Sequence, residues 1–401
     1  MKIAVIGGGP AGLRAAEIAV SGGAAVTLFD AKATVGRKFL VAGRGGLNLT
    51  KDEPSELFIS HYQEKADGPE RWAGLIADFG STAMRVWAES LGVQTFVAST
   101  GRVYPRDLKA APLLRRWVRR LRDAGVQFAM GHRWDGLTLL RGGVQVEFQV
   151  KGGGHTFQAD AVVLALGGGS WPQTGSNGAW IEIVKRLGIC VAPLEPANCG
   201  WECPWPSAVL TLCEGKPLKN VAVSARGRVF QGELLVTEYG LEGGALYALG
   251  PTLRAMQSPE ISIDFKPSVT VERLVAKMDS VRSNFLEEAG RRWRLPDPVC
   301  AILAHSGKAP FTSVDALAAE VKNFALHLTR PRPLAEAISS AGGVCWSELD
   351  AGLMLKKIPG VFLAGEMIDW EAPTGGYLLQ GCFSTATRAA KAALEWAGRS
   401  V

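Results

Sequence analysis

Three glycines, a proline and an acid open the chain in an order that suits one kind of chemistry. In KIAVIGGGPAGLRAAEIAVSGGAAVTLFDAK, Gly7, Gly9 and Gly12 follow one apolar run and Asp30 closes the next. Gly7 permits a tight turn, Gly9 lets the backbone approach a pyrophosphate, and Gly12 lets a helix pack close to the strand. Pro10 and Ala11 begin that helix, whose unpaired amides and dipole favour a phosphate. Asp30, followed by Ala31 and Lys32, would accept hydrogen bonds from adenosine ribose hydroxyls and repel a 2′-phosphate, which argues against NADP at this place. The pattern predicts a bound dinucleotide.

Two further segments point to FAD over NAD. In FQADAVVLALGGGSWPQTGSNG (157–178) an apolar strand reaches Ala165 and breaks at Gly167, leaving a loop small enough for a ligand to lie across. In PGVFLAGEMIDWEAPTGGYLLQGCFSTATRAAKAALEWAG (359–398) a buried strand ends at Gly365 and Glu366, and a glycine turn feeds a long final helix. The start of that helix is a second anion-stabilising site, suited to the negative charge of a reduced flavin. FAD is long enough to use both.

Other catalytic patterns are missing. The five histidines are scattered, and no G-x-S-x-G or H-E-x-x-H occurs. No C-x-x-C accompanies the glycine motif, which argues against a disulfide reductase. The seven cysteines are irregularly spaced and read as buried thiols in a reducing cytoplasm; Cys199, Cys203 and Cys213 lack the spacing of a zinc site, so no metal is expected. Flavin chemistry can proceed without a side-chain acid, so no catalytic residue is named.

The elements that would position these groups follow from patterning. A chain of 401 residues predicts two or three domains at about 150 residues each. A strand–helix–strand start predicts a Rossmann-like parallel sheet, and VQFAMGHRWDGLTLLRGGVQVEFQV predicts an antiparallel excursion inside it. In LLRRWVRRLRDAG (113–125), Arg115, Arg116, Arg119, Arg120 and Arg122 read as the solvated side of an amphipathic helix, with Leu114, Trp117, Val118 and Leu121 inward. The middle of the chain reads as short strands enclosing a helical stretch. Its segment TEYGLEGGA (237–245) is either a plain glycine turn or an anion-binding loop. The net charge of +6 is too diffuse to argue for nucleic acid, and no apolar run is long enough for a membrane span.

Five stretches carry a resemblance over nearly the whole chain: GRKFLVAGRGGLNLT (36–50), GRVYPRDLKA (101–110), ALGGGSWPQTGSNG (165–178), GEMIDW (365–370) and TGGYLLQG (374–381). They are similar to a bacterial flavoprotein family that includes YhiN and BaiN, labelled NAD(P)/FAD-dependent oxidoreductases or aminoacetone oxidase-like. The resemblance implies an FAD domain built from both chain ends. It implies Arg37 and Lys38 at the AMP or pyrophosphate end, and Gly43, Gly45, Gly46 and Asn48 along the flavin. Gly365 and Glu366 would reach the ribityl and pyrophosphate region, and Gly375, Gly376, Tyr377 and Leu378 would present amides to the flavin ring. The chain departs from the family pattern at Leu47, where Cys is common, and at Leu378, where Asn is common.

The expected fold is therefore α/β: a Rossmann-like FAD-binding domain formed by residues 1–189 and 345–401. A β-rich, barrel-like insertion would span 190–267, a helical subdomain 268–325, and return strands of the β-rich lobe 326–344. The expected function is a cytoplasmic FAD-dependent oxidoreductase with noncovalent FAD, exchanging hydride with a small organic substrate or a transiently bound NAD(P)H. The alternatives are a flavin-dependent RNA-modifying enzyme and a non-enzymatic flavin redox sensor.

Overall fold

The computed structural model describes residues 1–62 and 68–399. They form two compact units, one of residues 1–195 with 339–401 and one of residues 196–338.

The larger unit is built on a five-stranded parallel sheet in the order Val361–Leu363, Ala161–Leu164, Lys2–Ile6, Ala25–Asp30, Gln127–Met130. Strands from the start, middle and end of the sequence are thus neighbours. Lys2–Ile6 lies at the centre, and its residues Ile3 to Ile6 are at most 1% exposed, as a strand covered on both faces requires. The first helix (Pro10–Ser21) and the last helix (Tyr377–Arg399) bury rows of alanine: Ala15, Ala16 and Ala19 on one, Ala386, Ala389, Ala390 and Ala393 on the other. Small side chains let helix backbones come close, and Arg14 ties the pair by donating to Thr387 Oγ1 at 3.1 Å. A three-stranded antiparallel sheet (Arg133–Leu140, Gly143–Val150, Gly153–Ala159) forms the expected excursion. It packs Phe148 against Phe29 with ring centres 4.3 Å apart.

The arginine-rich helix runs Ala110–Asp123 and buries Leu113, Leu114, Trp117 and Leu121, while Val118 is only partly buried. Its arginines are not all solvated. Arg116 donates to the carbonyls of Leu91 and Gly92, and Arg120 pairs with Glu17. Glu17 is buried and also accepts from Arg14 at 2.9 Å and from Trp87 Nε1 at 3.0 Å. Arg120 is structural because a buried carboxylate must be paired, and Arg116 because it satisfies the carbonyls just beyond the helix Ser81–Ser90.

The smaller unit is a six-stranded antiparallel sheet in the order Trp201–Glu202, Gly240–Glu242, Arg228–Thr237, Pro217–Ala225, Glu260–Asp264, Phe324–His327. The helices Val271–Ala276, Phe285–Arg292, Asp297–Ala304 and Val314–Lys322 share one core with it, in which Leu274, Trp293, Ile302 and Leu317 meet Val223 and Ile263. In TEYGLEGGA the glycines serve close packing: a Cβ on Gly240 would lie 2.1 Å from the Trp201 carbonyl, and one on Gly243 2.2 Å from that of Glu233.

Two expectations need correction. Residues 190–195 and 339–344, assigned above to the β-rich lobe, belong to the larger unit. The strands Val191–Ala197 and Ser339–Val344 pair with each other, and Val344 bridges to Ile368. The cysteines are not uniformly buried: Cys199, Cys203 and Cys213 are, but Cys190 is exposed at the end of a strand pair. No described helix is long and apolar enough to cross a membrane.

Candidate functional site

Where the central strand ends, the backbone turns so tightly that only glycine fits. Gly7 has φ +110°, and a Cβ there would lie 2.2 Å from the Ala165 carbonyl oxygen. A Cβ on Gly12 would lie 1.7 Å from the Gly7 oxygen, so that glycine seats the helix on the strand. Around Gly9 there is open space, and the helix that starts at Pro10 has no side-chain cap. Its first amides are free to meet a ligand.

Asp30 stands opposite. Its Oδ2 accepts from Gly8 N–H and its Oδ1 from Lys32 N–H, both at 2.7 Å. Burial raises its pKa despite these bonds and the nearby positive charge of Arg37. Lys38 Nζ donates to Ser170 Oγ at 3.0 Å and pairs with Glu366 at 3.2 Å. Ser340 completes this corner: its hydroxyl accepts from Gly169 N–H and Ser170 N–H, and its own N–H donates to Glu366.

A cavity of about 390 Å³ joins these groups. Of the residues singled out above, Gly7, Gly9, Pro10, Ala11, Asp30, Ala31, Lys32, Arg37, Lys38, Ala165, Gly167 and Glu366 line it. That volume lies within the range of cofactor pockets.

The remaining residues form a second group. Gly46 lies beside Tyr104 and Leu108, Gly45 faces open space, and Gly43 is pressed against Ala110, so its task is packing. Asn48 Nδ2 donates to the carbonyls of Thr50 (2.8 Å) and Val103 (3.1 Å). A Cβ on Gly376 would lie 2.5–2.7 Å from the backbone of Thr50, which presses the start of the last helix against the strand Thr50–Lys51. Tyr377 is buried and Leu378 half-buried at that start.

Around it lies a polar cluster with no warning in the spacing. Tyr377 donates to Glu53 at 2.6 Å, and Lys51 pairs with Glu53 at 2.8 Å. His61 Nε2 is 3.5 Å from the same carboxylate, too far for a hydrogen bond. Burial lowers the His61 pKa, and burial with the Glu53 carboxylate raises that of Tyr377, so the phenol stays protonated. Lys51 and Arg102 face each other on the paired strands Thr50–Lys51 and Arg102–Pro105, and Arg102 Nε lies 3.7 Å from where a Gly375 Cβ would be. Arg102 and Tyr377 lie in stretches singled out above, GRVYPRDLKA and TGGYLLQG, whereas Lys51, Glu53 and His61 leave no such signal in the sequence.

The two groups meet at Gly365. Its φ is +77°, and a Cβ would lie 2.8 Å from Ala11 Cβ and 3.7 Å from Cys382 Sγ. Gly365 is therefore a packing contact under the cavity, while Cys382 lines it. Cys382 lies five residues after Tyr377 on the last helix, about 7.5 Å along its axis. The cavity thus borders the last helix about one and a half turns past its first residue. Two residues that line the cavity, Arg37 and Trp134, also carry a buried polar atom without a protein partner, Nε and Nε1, which a ligand there could engage. Among the described residues no group of acids, histidines and cysteines is placed to hold a metal ion.

The chain is similar to several known proteins. A 3-dehydro-bile acid delta(4,6)-reductase of Clostridium scindens is 26% identical, matching 98% of this chain and 99% of its own length. A ribosomal RNA dihydrouridine synthase of Escherichia coli is 24% identical, matching 95% of each chain. Among solved structures, the 3-ketosteroid-delta4-(5alpha)-dehydrogenase of Rhodococcus jostii shares the fold, with TM-score 0.56, 15% identity, and coverage of 98% of this chain and 96% of the other. The model described as "HI0933-like protein Rossmann domain" matches residues 1–392; the chain belongs to this family of flavin-dependent oxidoreductases, and its cofactor is FAD.

Proposed function

We propose that the chain is a reductase of carbon–carbon double bonds conjugated to a carbonyl, with NAD(P)H as a transient electron donor. The observation that carries this reading is the cluster at the start of the last helix, where Arg102 and Lys51 stand beside Gly375 and a protonated Tyr377. FAD, when bound, supplies the hydride chemistry. The chain's own task is then to hold the substrate carbonyl while negative charge builds on its oxygen. A fixed guanidinium suits that task, because preorganised charge in a partly dry site is worth about 10²–10³ in rate. Lys51 is already committed to Glu53, which leaves Arg102 as the candidate for the carbonyl. The two curated relatives fit the same class: a dienone steroid and a uracil ring each carry a C=C bond conjugated to a carbonyl.

A uridine in RNA is the second reading, and one surface favours it. Arg115, Arg119 and Arg122 follow one face of their helix over about 10 Å and line a groove of about 920 Å³ with Leu40 and Phe128 in it. Arginines spaced along an open groove suit a phosphate backbone.

The test is anaerobic turnover of the purified flavoprotein with NADH or NADPH. Conjugated enones, including a 3-keto-4-ene steroid, form one substrate set, and uridine-containing RNA the other. The expected product is heavier by two hydrogens, and Arg102→Ala lowers kcat/KM by about 10²–10³ with FAD content unchanged. A flavin reduced by NAD(P)H yet reoxidised by neither set, or full activity in the Arg102→Ala variant, overturns the reading.

A further inference from the structure

We propose that Cys190 and Cys345 form a peroxide-sensitive dithiol that becomes a disulfide on oxidation. Both are free thiols in this structure, and their sulfur atoms are 2.9 Å apart. The backbone holds them there. Cys190 immediately precedes the strand Val191–Ala197, Cys345 immediately follows Ser339–Val344, and Cys345 N–H donates to the Cys190 carbonyl at 3.0 Å. Cys190 N–H is fixed in turn by Glu348 Oε1 at 3.1 Å, and Lys357 clamps Glu348 and the Gly188 carbonyl. The two side chains are thus presented to each other across a strand pair, and the sulfurs at 2.9 Å need only close to the bond length of about 2.03–2.05 Å.

Access and reactivity differ between the two. Cys190 is exposed, so a peroxide reaches it first. Cys345 is half-buried, and burial together with the neighbouring Cys190 thiol pushes its pKa up to about 11. The order of steps follows. Cys190 sulfur attacks hydrogen peroxide; an S–O bond forms, the O–O bond breaks, and one water leaves. Cys345 sulfur then attacks the Cys190 sulfenic acid; the S–S bond forms, the S–O bond breaks, and a second water leaves. Two thiols give up two protons and two electrons, and one peroxide becomes two waters. A dithiol reductant reverses it.

The location gives the bond a consequence. Val191–Ala197 and Ser339–Val344 are the two strands through which the chain passes out of the larger unit and back. A cross-link would fasten them even when their hydrogen bonds open. Ser339–Val344 also carries Ser340, which orders Gly169, Ser170 and Glu366 at the cavity.

The experiment treats the full-length flavoprotein with hydrogen peroxide, quenches with an alkylating agent, and maps peptides without reduction. The expected result is a peptide pair joined through Cys190 and Cys345, two hydrogens lighter than its reduced parts and released by dithiothreitol. The unfolding midpoint should rise in the oxidised wild type and stay unchanged in Cys190→Ser and Cys345→Ser. Oxidation of Cys190 to sulfinic acid without the joined pair, or a midpoint unmoved in linked wild type, overturns the proposal. The wild-type peptide map decides the matter even if a variant fails to fold.

Discussion

Replacing Asp30 by asparagine tests the adenosine end of the cleft with almost no change of shape. The carboxylate accepts two backbone N–H bonds at 2.7 Å, from Gly8 and Lys32. Asparagine keeps one acceptor and turns a donor toward the other amide. One charge-assisted bond is lost, about 1.5–3 kcal/mol, and the other weakens. Against this, the ionised carboxylate is costly to bury, as its raised pKa shows, and that cost disappears in Asp30→Asn. We expect a net apoprotein loss of about 1–2 kcal/mol, or roughly 2–8 °C in the unfolding midpoint for a unit of this size. Holoprotein should suffer more, because ribose hydroxyls also lose a charged acceptor; FAD should bind about 10–100-fold more weakly. The pH dependence separates the two effects. A carboxyl whose folded pKa is raised stabilises the apoprotein most below its unfolded value, and that contribution is lost as pH rises through the folded value. With Asp30 on the ribose, FAD favours the ionised form, so the expected wild-type affinity strengthens as pH rises through the same value, and Asp30→Asn flattens that rise. Flavin fluorescence titration from acid to neutral pH reads it directly. Wild-type affinity in the Asp30→Asn variant with an unchanged pH profile would refute the assignment of Asp30 to the ribose.

Two further substitutions probe the frame. Gly376→Ala places a methyl 2.5–2.7 Å from the Thr50 backbone at φ +100°, so the last helix must shift; we expect weak flavin retention in a chain that still folds, read by the ratio of visible to ultraviolet absorbance. Glu17→Ala strands the buried Arg14 guanidinium and should cost about 3–5 kcal/mol in urea unfolding, whereas the double change Glu17→Ala with Arg14→Met should recover part of it.

The first strand, first helix and Asp30 were readable because their signals are local: an apolar run, a glycine triad, then a second run ending in an acid. The final helix was readable for the same reason. The contacts that finish the site were not. Lys38 and Glu366 are 328 residues apart, and Cys190 and Cys345 are 155 apart, so no periodicity links them. The strand Ser339–Val344 was misplaced because SSAGGV has little strand preference. It is a strand because small residues let it press close: a Gly342 Cβ would lie 2.0 Å from the Pro193 oxygen, and a Gly343 Cβ 2.6 Å from that of Met367. The arginine helix shows its stripe in sequence, but only the buried Glu17 explains the pairing of Arg120, and only the carbonyls of Leu91 and Gly92 explain that of Arg116.

That the parallel sheet takes Lys2–Ile6 from one end of the chain and Val361–Leu363 with the helix Tyr377–Arg399 from the other has a consequence for how the protein is made. A ribosome emits the chain from its amino end, so the central strand emerges long before the strand and helix that complete its sheet. At about 5–20 residues per second the interval is roughly 17–70 s. During that time the contiguous stretch 196–338 can assemble its own sheet, while the nascent larger unit lacks its edge strand and its closing helix. Closure of the larger unit is thus the last event of its folding, and a prematurely terminated product would keep Lys2–Ile6 without the strand and helix that complete its layer.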